Sequence, residues 1–260
     1  TTNFNNSPYW DDFNSVNNYY RLLFKPGYAI QSRELTQIQS MLQDQIQKFG
    51  QSIFKEGSMV LGGKYYIDTR AHYVKINDKD SLGNEIDVTQ YKNQIVTGQT
   101  TGIQAYVNLV VDGVEGTGNT KTLYVSYLSG NPDTDEVYFT PNEPLVSNVG
   151  IITVANTSPV GFGSVFTISE GVRFAKQHFI HHNKQSIVID RYDIHPTCKV
   201  GFILNEDIVD ATQDSTLLDP ALESSNYSAP GADRFKITAT LTKLDIDDAT
   251  GFPNYVNLFE

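Results

Sequence analysis

The stretch Ile30–Lys55, IQSRELTQIQSMLQDQIQKFGQSIFK, gives way after Gly57 to runs such as SMVLGG (58–63) and KYYIDTRAHYVKI (64–76), and this change of period decides the fold. In the first stretch Leu35, Ile38, Leu42, Ile46, Phe49 and Ile53 fall within an arc of about 80° at ~100° per residue, the mark of an amphipathic helix. Pro26 and Gly27 stand upstream and Gly57 downstream as boundaries. Ser32 is the expected N-cap, with Glu34 in the first turn where the helix dipole favours an acid. The seam from Leu35 to Ile53 spans close to five whole turns at 3.6 residues per turn, so it runs straight instead of following a heptad. A straight stripe suits packing on a sheet or in a short bundle. Arg33, Glu34, Asp44, Lys48 and Lys55 lie away from it and glutamines fill the flanks. Gly50 weakens the helix by about 1 kcal/mol against Ala and is the expected place for any break.

Beyond Gly57 the apolar residues alternate, as in IQAYVNLVV (103–111), KTLYVSYL (121–128), EVYFT (136–140), SVFTI (164–168), FIHHNKQSIVIDRY (179–192), CKVGFIL (198–204), FKITATLTKL (235–244) and NYVNLFE (254–260). Turn clusters such as NDKDSLGNE and VDGVEGTGNT separate them. Roughly ten to twelve short strands after one helix make the expected fold mainly β, with one long N-terminal amphipathic helix and antiparallel sandwich or barrel modules. The expected organisation is an arm and helix over 1–56, a discontinuous β platform over 57–75 and 160–260, and an inserted β module over 76–159. Residues 205–233 break the strand rhythm with Asp, Ser, Pro and Gly and are expected to form a long ordered loop. The chain stops inside a strand pattern, so it is expected to be a piece of a longer protein.

Hydrophobic residues make up 39% and charged residues 19% of the 260. The shortfall against an average globular chain is filled by Asn, Gln, Ser, Thr and Gly, which argues against a disordered polyampholyte. A formal net charge of -11 repels phosphate backbones and anionic lipid, so nucleic acid and membrane are not expected partners. No run approaches 18 apolar residues and no signal peptide opens the chain, which is expected to be soluble. The single cysteine, Cys198, has no partner for an intrachain disulfide. The first twenty residues are an arm in which Phe4, Tyr9, Trp10, Phe13, Tyr19 and Tyr20 lie scattered among Asn, Ser and Asp. Rings left in water forgo roughly 1.5–3 kcal/mol each, so the arm is expected to lie on its own chain or on a neighbour.

The residue types that carry chemistry do not assemble into a motif. His178, His181, His182, His195 and Cys198 have the donor chemistry of zinc, but a strand sends His178 and His182 to one face and His181 to the other. Gly113, Gly116, Gly118 and Lys121 lack the glycine–lysine adjacency of a phosphate loop. Asp78 and Asp80 precede Gly83 as in a calcium loop, but Leu82 and Thr89 stand where oxygen ligands belong. Asp133, Asp135 and Glu136 are a loop-tip acidic cluster, Ser164 in GFGSVF lacks the glycine of a nucleophile elbow, and His195 is not aligned with Cys198 by a Pro-containing spacer. No catalytic, cofactor-binding or metal-binding residue is assigned.

The run NNYYRLLFKPGYAIQSRELTQIQSMLQDQIQKFGQSIFKEGSMVLGG (17–63), the run GSVFTISEGVRFAKQHFI (163–180) and the block from Asn205 through Asp219, Pro220, Ala221 and APGADRFKI (229–237) together resemble a family of tailed-bacteriophage virion proteins, baseplate or tail-fibre-associated, of unknown domain function. This chain places Lys176, Gln177 and His178 where similar proteins carry a small residue. The resemblance implies a non-enzymatic structural component of a phage tail, localised in the virion and assembled in the host cytoplasm. It also implies docking to other baseplate or tail proteins and homo-oligomerisation, with a trimer favoured. The expected interface is Trp10, Phe13, Tyr19 and Tyr20 on the arm and Leu35, Ile38, Leu42, Ile46, Phe49 and Ile53 on the helix. Asp233 and Arg234 are expected to fix the long loop through a charge-assisted hydrogen bond. The alternative is a carbohydrate-binding module or glycan depolymerase of a tail fibre, and a third reading is a metal-dependent binding protein built on the histidines.

Overall fold

A computed structural model describes residues 2–114, 117–129, 138–248 and 254–259. The chain is mainly β, with antiparallel sheets; the described residues hold one long N-terminal helix and no closed barrel. It divides into two compact units, one of 1–64, 169–184 and 199–260, the other of 65–168 and 185–198.

The first unit holds helix α1 (Ser32–Ile53) and two three-stranded sheets. The order in one is β1 (Met59–Gly62), β9 (Gly171–Ala175), β10 (His178–His182), and in the other β13 (Arg234–Asp245), β12 (Cys198–Val209), β14 (Tyr255–Phe259). The N-cap of α1 is Gln31, one residue before the expected Ser32: the Glu34 carboxylate accepts the Gln31 N–H at 2.9 Å, which fixes where the helix begins. The helix passes unbroken through Gly50. There the ring of Phe174 lies so close that a Cβ would strike it, so the glycine serves a close approach and not a break. β12 runs on to Val209, so the long loop starts later than Asn205.

The second unit is one eight-stranded antiparallel sheet. Its order is β11 (Gln185–Asp190), β8 (Val160–Ile168), β2 (Tyr65–Lys75), β5 (Thr122–Ser129), β4 (Gln104–Val111), β3 (Ile95–Gly98), β6 (Pro144–Val146), β7 (Ile151–Thr153). Alternation along β2 puts Val74 into the main core with Ile76, Val96, Val107, Leu123 and Leu145, while Tyr73 joins Tyr124 and Val165 in a second cluster. The boundaries of this unit lie at Tyr65 and Ile168, outside the 76–159 segment, because β2 pairs with both β5 and β8 and draws β8 and β11 into one sheet.

A single buried carboxylate organises one end of that sheet. Glu143 Oε1 accepts from the Thr100 and Thr101 N–H groups at 3.1 and 2.7 Å and from Thr101 Oγ1 at 2.7 Å. Its Oε2 accepts from the Thr140 N–H at 2.9 Å and from Thr140 Oγ1 at 3.3 Å. Gly98 leaves the space this carboxylate occupies. Substituting Glu143→Gln keeps the volume but turns an amide group toward donors, so it is expected to cost about 2–3 kcal/mol in urea unfolding. An unchanged midpoint would refute this role.

Candidate functional site

The N-terminal arm divides into a part that its own unit holds and a part that it does not. The Thr2 N–H and Oγ1 donate to Glu206 Oε2 at 2.6 and 2.5 Å, and Lys176 Nζ pairs with Glu206 Oε1 at 2.7 Å. Phe4 packs edge-on against Phe235 with ring centroids 5.1 Å apart, and Tyr9 OH donates to Asp233 Oδ2 at 2.5 Å. The Asp233 carboxylate therefore fixes the arm, while the loop end is held by Arg234 Nη1, which donates to the Ala232 and Asp233 carbonyls at 2.6 and 3.3 Å. The bond to Asp233 also raises the Tyr9 pKa, because a phenolate there would face a carboxylate. The buried Asp11 carboxylate accepts from Ser40 Oγ, and Asp12 accepts from Arg33 Nη1 at 3.0 Å and from Gln37 Nε2.

Those last contacts decide which side of α1 faces inward. Arg33, Gln37 and Ser40 lie on the polar face, and Gln43 Nε2 reaches the Gln177 carbonyl at 3.2 Å. Met41 and Gly50 are the buried residues of the helix. At its C-terminal end Phe54 packs against Phe174 and Phe179, with centroids 6.1 and 5.8 Å apart, and the Gly57 N–H bonds to the Phe174 carbonyl at 2.9 Å. The apolar seam points the other way. Leu35, Leu42, Ile46, Phe49 and Ile53 are between 46% and 64% exposed, and Ile38 is half-buried. Of the arm rings, Trp10, Tyr19 and Tyr20 are exposed and Phe13 is half-buried. Val16, Leu23, Phe24, Tyr28 and Ile30 are exposed as well, so 16–53 carries twelve exposed large apolar side chains. Of the six arm rings named from the sequence, Phe4 and Tyr9 dock within the unit, while the four expected at an interface, Trp10, Phe13, Tyr19 and Tyr20, do not; the docking polar groups Thr2, Asp11 and Asp12 carry no periodic signal.

The hairpin tip between β9 and β10 is where these parts meet. Lys176 and Gln177 both have positive φ, +46° and +68°, a conformation that costs a non-glycine residue roughly 1–2 kcal/mol each. The surroundings hold it: Glu56 Oε1 accepts the Lys176 N–H at 2.7 Å, Lys176 Nζ pairs with Glu206, and Gln43 holds the Gln177 carbonyl. A left-handed two-residue turn is the physical reason a small residue suits this place.

The remaining candidates are taken up by structure. His178 Nδ1 bonds the Lys176 carbonyl, His181 pairs with Glu170 at 3.0 Å, and His195 stands near Asp193. His182 is buried against Phe202, and burial lowers its pKa below the usual imidazole value. Among the described residues no three of His, Cys, Asp and Glu gather as metal ligands. Ser164 Oγ donates to the Asp193 carbonyl, Asp80 holds a turn through the Leu82 and Asn84 N–H groups, and Lys121 pairs with Asp112 at 2.6 Å. Gly116, Asp133, Asp135 and Glu136 lie outside the described residues. No helix among those described is long and apolar enough to cross a membrane.

Residues 7–102 match the model of a domain of unknown function, DUF4815. The matched segment takes in most of the docked arm, the exposed arm, α1, β1, β2 and β3. No curated protein and no solved structure matches the chain.

Two outcomes follow from this geometry. Burial opposes ionisation of Glu206, but the bonds from Lys176 and Thr2 outweigh it and hold its pKa at about 2, below the ordinary 4.5. A depressed acid stabilises the fold above its unfolded value and loses that contribution as pH falls from 4.5 toward 2. The protection of the Thr2–Asp12 amides against exchange, taken relative to their intrinsic rate at each pH, is therefore expected to fall over that window in the native chain. In Glu206→Gln it is expected to be low already at pH 6. The second concerns the tip: Gln177→Gly keeps the carbonyl that Gln43 uses and removes the left-handed strain, so it is expected to raise stability by about 1 kcal/mol in chemical denaturation.

Proposed function

We propose that the chain is a non-enzymatic structural component of a bacteriophage tail, a baseplate or fibre-attachment protein that oligomerises, with a trimer favoured, and docks to neighbouring virion proteins. The observation that supports it most is the orientation of α1. A helix held down by its polar face leaves its apolar face unused within its unit, and large exposed apolar patches mark interaction surfaces. The exposed arm immediately upstream adds aromatic side chains, the residue class that carries most interface binding energy. An acidic chain with little cationic surface is suited to protein neighbours better than to nucleic acid or anionic lipid.

The test is localisation in the particle. Gold-labelled antibody against this chain is expected to decorate the tails of purified virions of the encoding phage, and the chain is expected in the protein content of those virions. Its absence from washed particles that retain complete tails would refute the reading.

A further inference from the structure

We infer that the exposed seam of α1 packs against the same seam in another copy of this chain. The inference rests on the oligomeric reading above and names its contact surface.

Three observations carry it. The first is spacing. Leu35 and Ile46, Ile38 and Phe49, and Leu42 and Ile53 are each eleven residues apart. Eleven residues in three turns is about 3.67 per turn, close to the 3.6 of a straight helix and on the opposite side of it from the 3.5 of a heptad. The five exposed members, Leu35, Leu42, Ile46, Phe49 and Ile53, also fall on one heptad frame (35, 39, 42, 46, 49, 53) in which Gln39 is the polar position, so the apolar face is continuous over about five turns in either helix–helix geometry. The second is charge. Gln39, Gln45 and Ser52 stand beside the seam and are neutral. Glu34, the acid nearest it, is engaged with the Gln31 N–H, and Lys48 pairs with Asp44 at 2.7 Å. Copies of a chain of net charge -11 repel one another, so self-packing favours a flank without like charges. A partner of different sequence would instead favour complementary charges there. The third is extent. With the exposed arm, 16–53 is of the order of the roughly 20–30 residues a side that a stable interface uses.

Because the seam is exposed in the single chain, a charge placed on it is not expected to unfold the molecule. The purified full chain is expected to run in light scattering as a multiple of one chain's mass. Leu42→Glu and Ile46→Glu are each expected to weaken self-association by roughly a hundredfold or more, since a carboxylate would be buried unpaired in the contact. Both are expected to run at the mass of one chain with unchanged circular dichroism and melting temperature. Leu222→Glu, on the exposed loop, is expected to retain the wild-type mass. If both seam variants keep the wild-type mass, the oligomer is built elsewhere and the inference fails, while the tail reading stands on the labelling of virions. A wild-type chain that runs as a monomer at tens of micromolar also overturns the inference.

Discussion

Asp11 and Asp12 hold α1 by its polar side, and the character of the first unit depends on that choice. A solitary amphipathic helix gains most by turning its apolar stripe toward its own core, because each large side chain removed from water contributes roughly 1.5–3 kcal/mol. Here hydrogen bonds to carboxylates, each of order 1.5–3 kcal/mol, and the packing of Phe54 and Gly50 around Phe174 secure the opposite orientation. The helix is thus well attached without using the surface that would attach it best. Phe174 needs the missing side chain at Gly50 to approach the helix, so the glycine's cost in helix propensity is offset by a contact on the docked side.

This orientation was not legible in the sequence, although the helix was. Periodicity identifies an apolar face but not what covers it, and the expectation of packing on a sheet or in a bundle left that open. The strands followed the same rule. β2, β4, β5, β8 and β12 were legible because Val, Ile, Tyr and Phe alternate along them, whereas β3, β6 and β9 were missed because three to five residues carry too little pattern. The extension of β12 through Asn205–Val209 was hidden by its acids, which belong to a strand whose Glu206 is paired with Lys176. Docking of the arm through Thr2, Phe4 and Tyr9 depends on partners some two hundred residues away, at Glu206, Asp233 and Phe235, and no local signal reports such separations.

The tip at Lys176 and Gln177 shows how these distant pieces are brought into one body. Two residues in the left-handed region would strain an isolated hairpin, yet each bond that holds them also serves another element. Glu56 follows α1, Gln43 lies within it, and Glu206 belongs to β12 and also receives Thr2. Strain at the tip and order in the arm are therefore supported by the same contacts, and loss of the Glu206 carboxylate loosens both.

Charge and grease are divided between the two tasks. The contacts that fold the arm onto its unit are mostly ionic or charge-assisted, at Glu206, Asp233, Asp11 and Asp12, and so weaken with salt where exposed, while the Glu206 contact is also lost in acid. The surface proposed for self-association is almost free of ionisable groups, and its strength varies little with either. Acid that frees residues 2–12 therefore has no direct hold on the seam. An assembly contact built this way would persist while the arm beside it was released, so arm order and chain-to-chain attachment can respond separately to the surrounding solution.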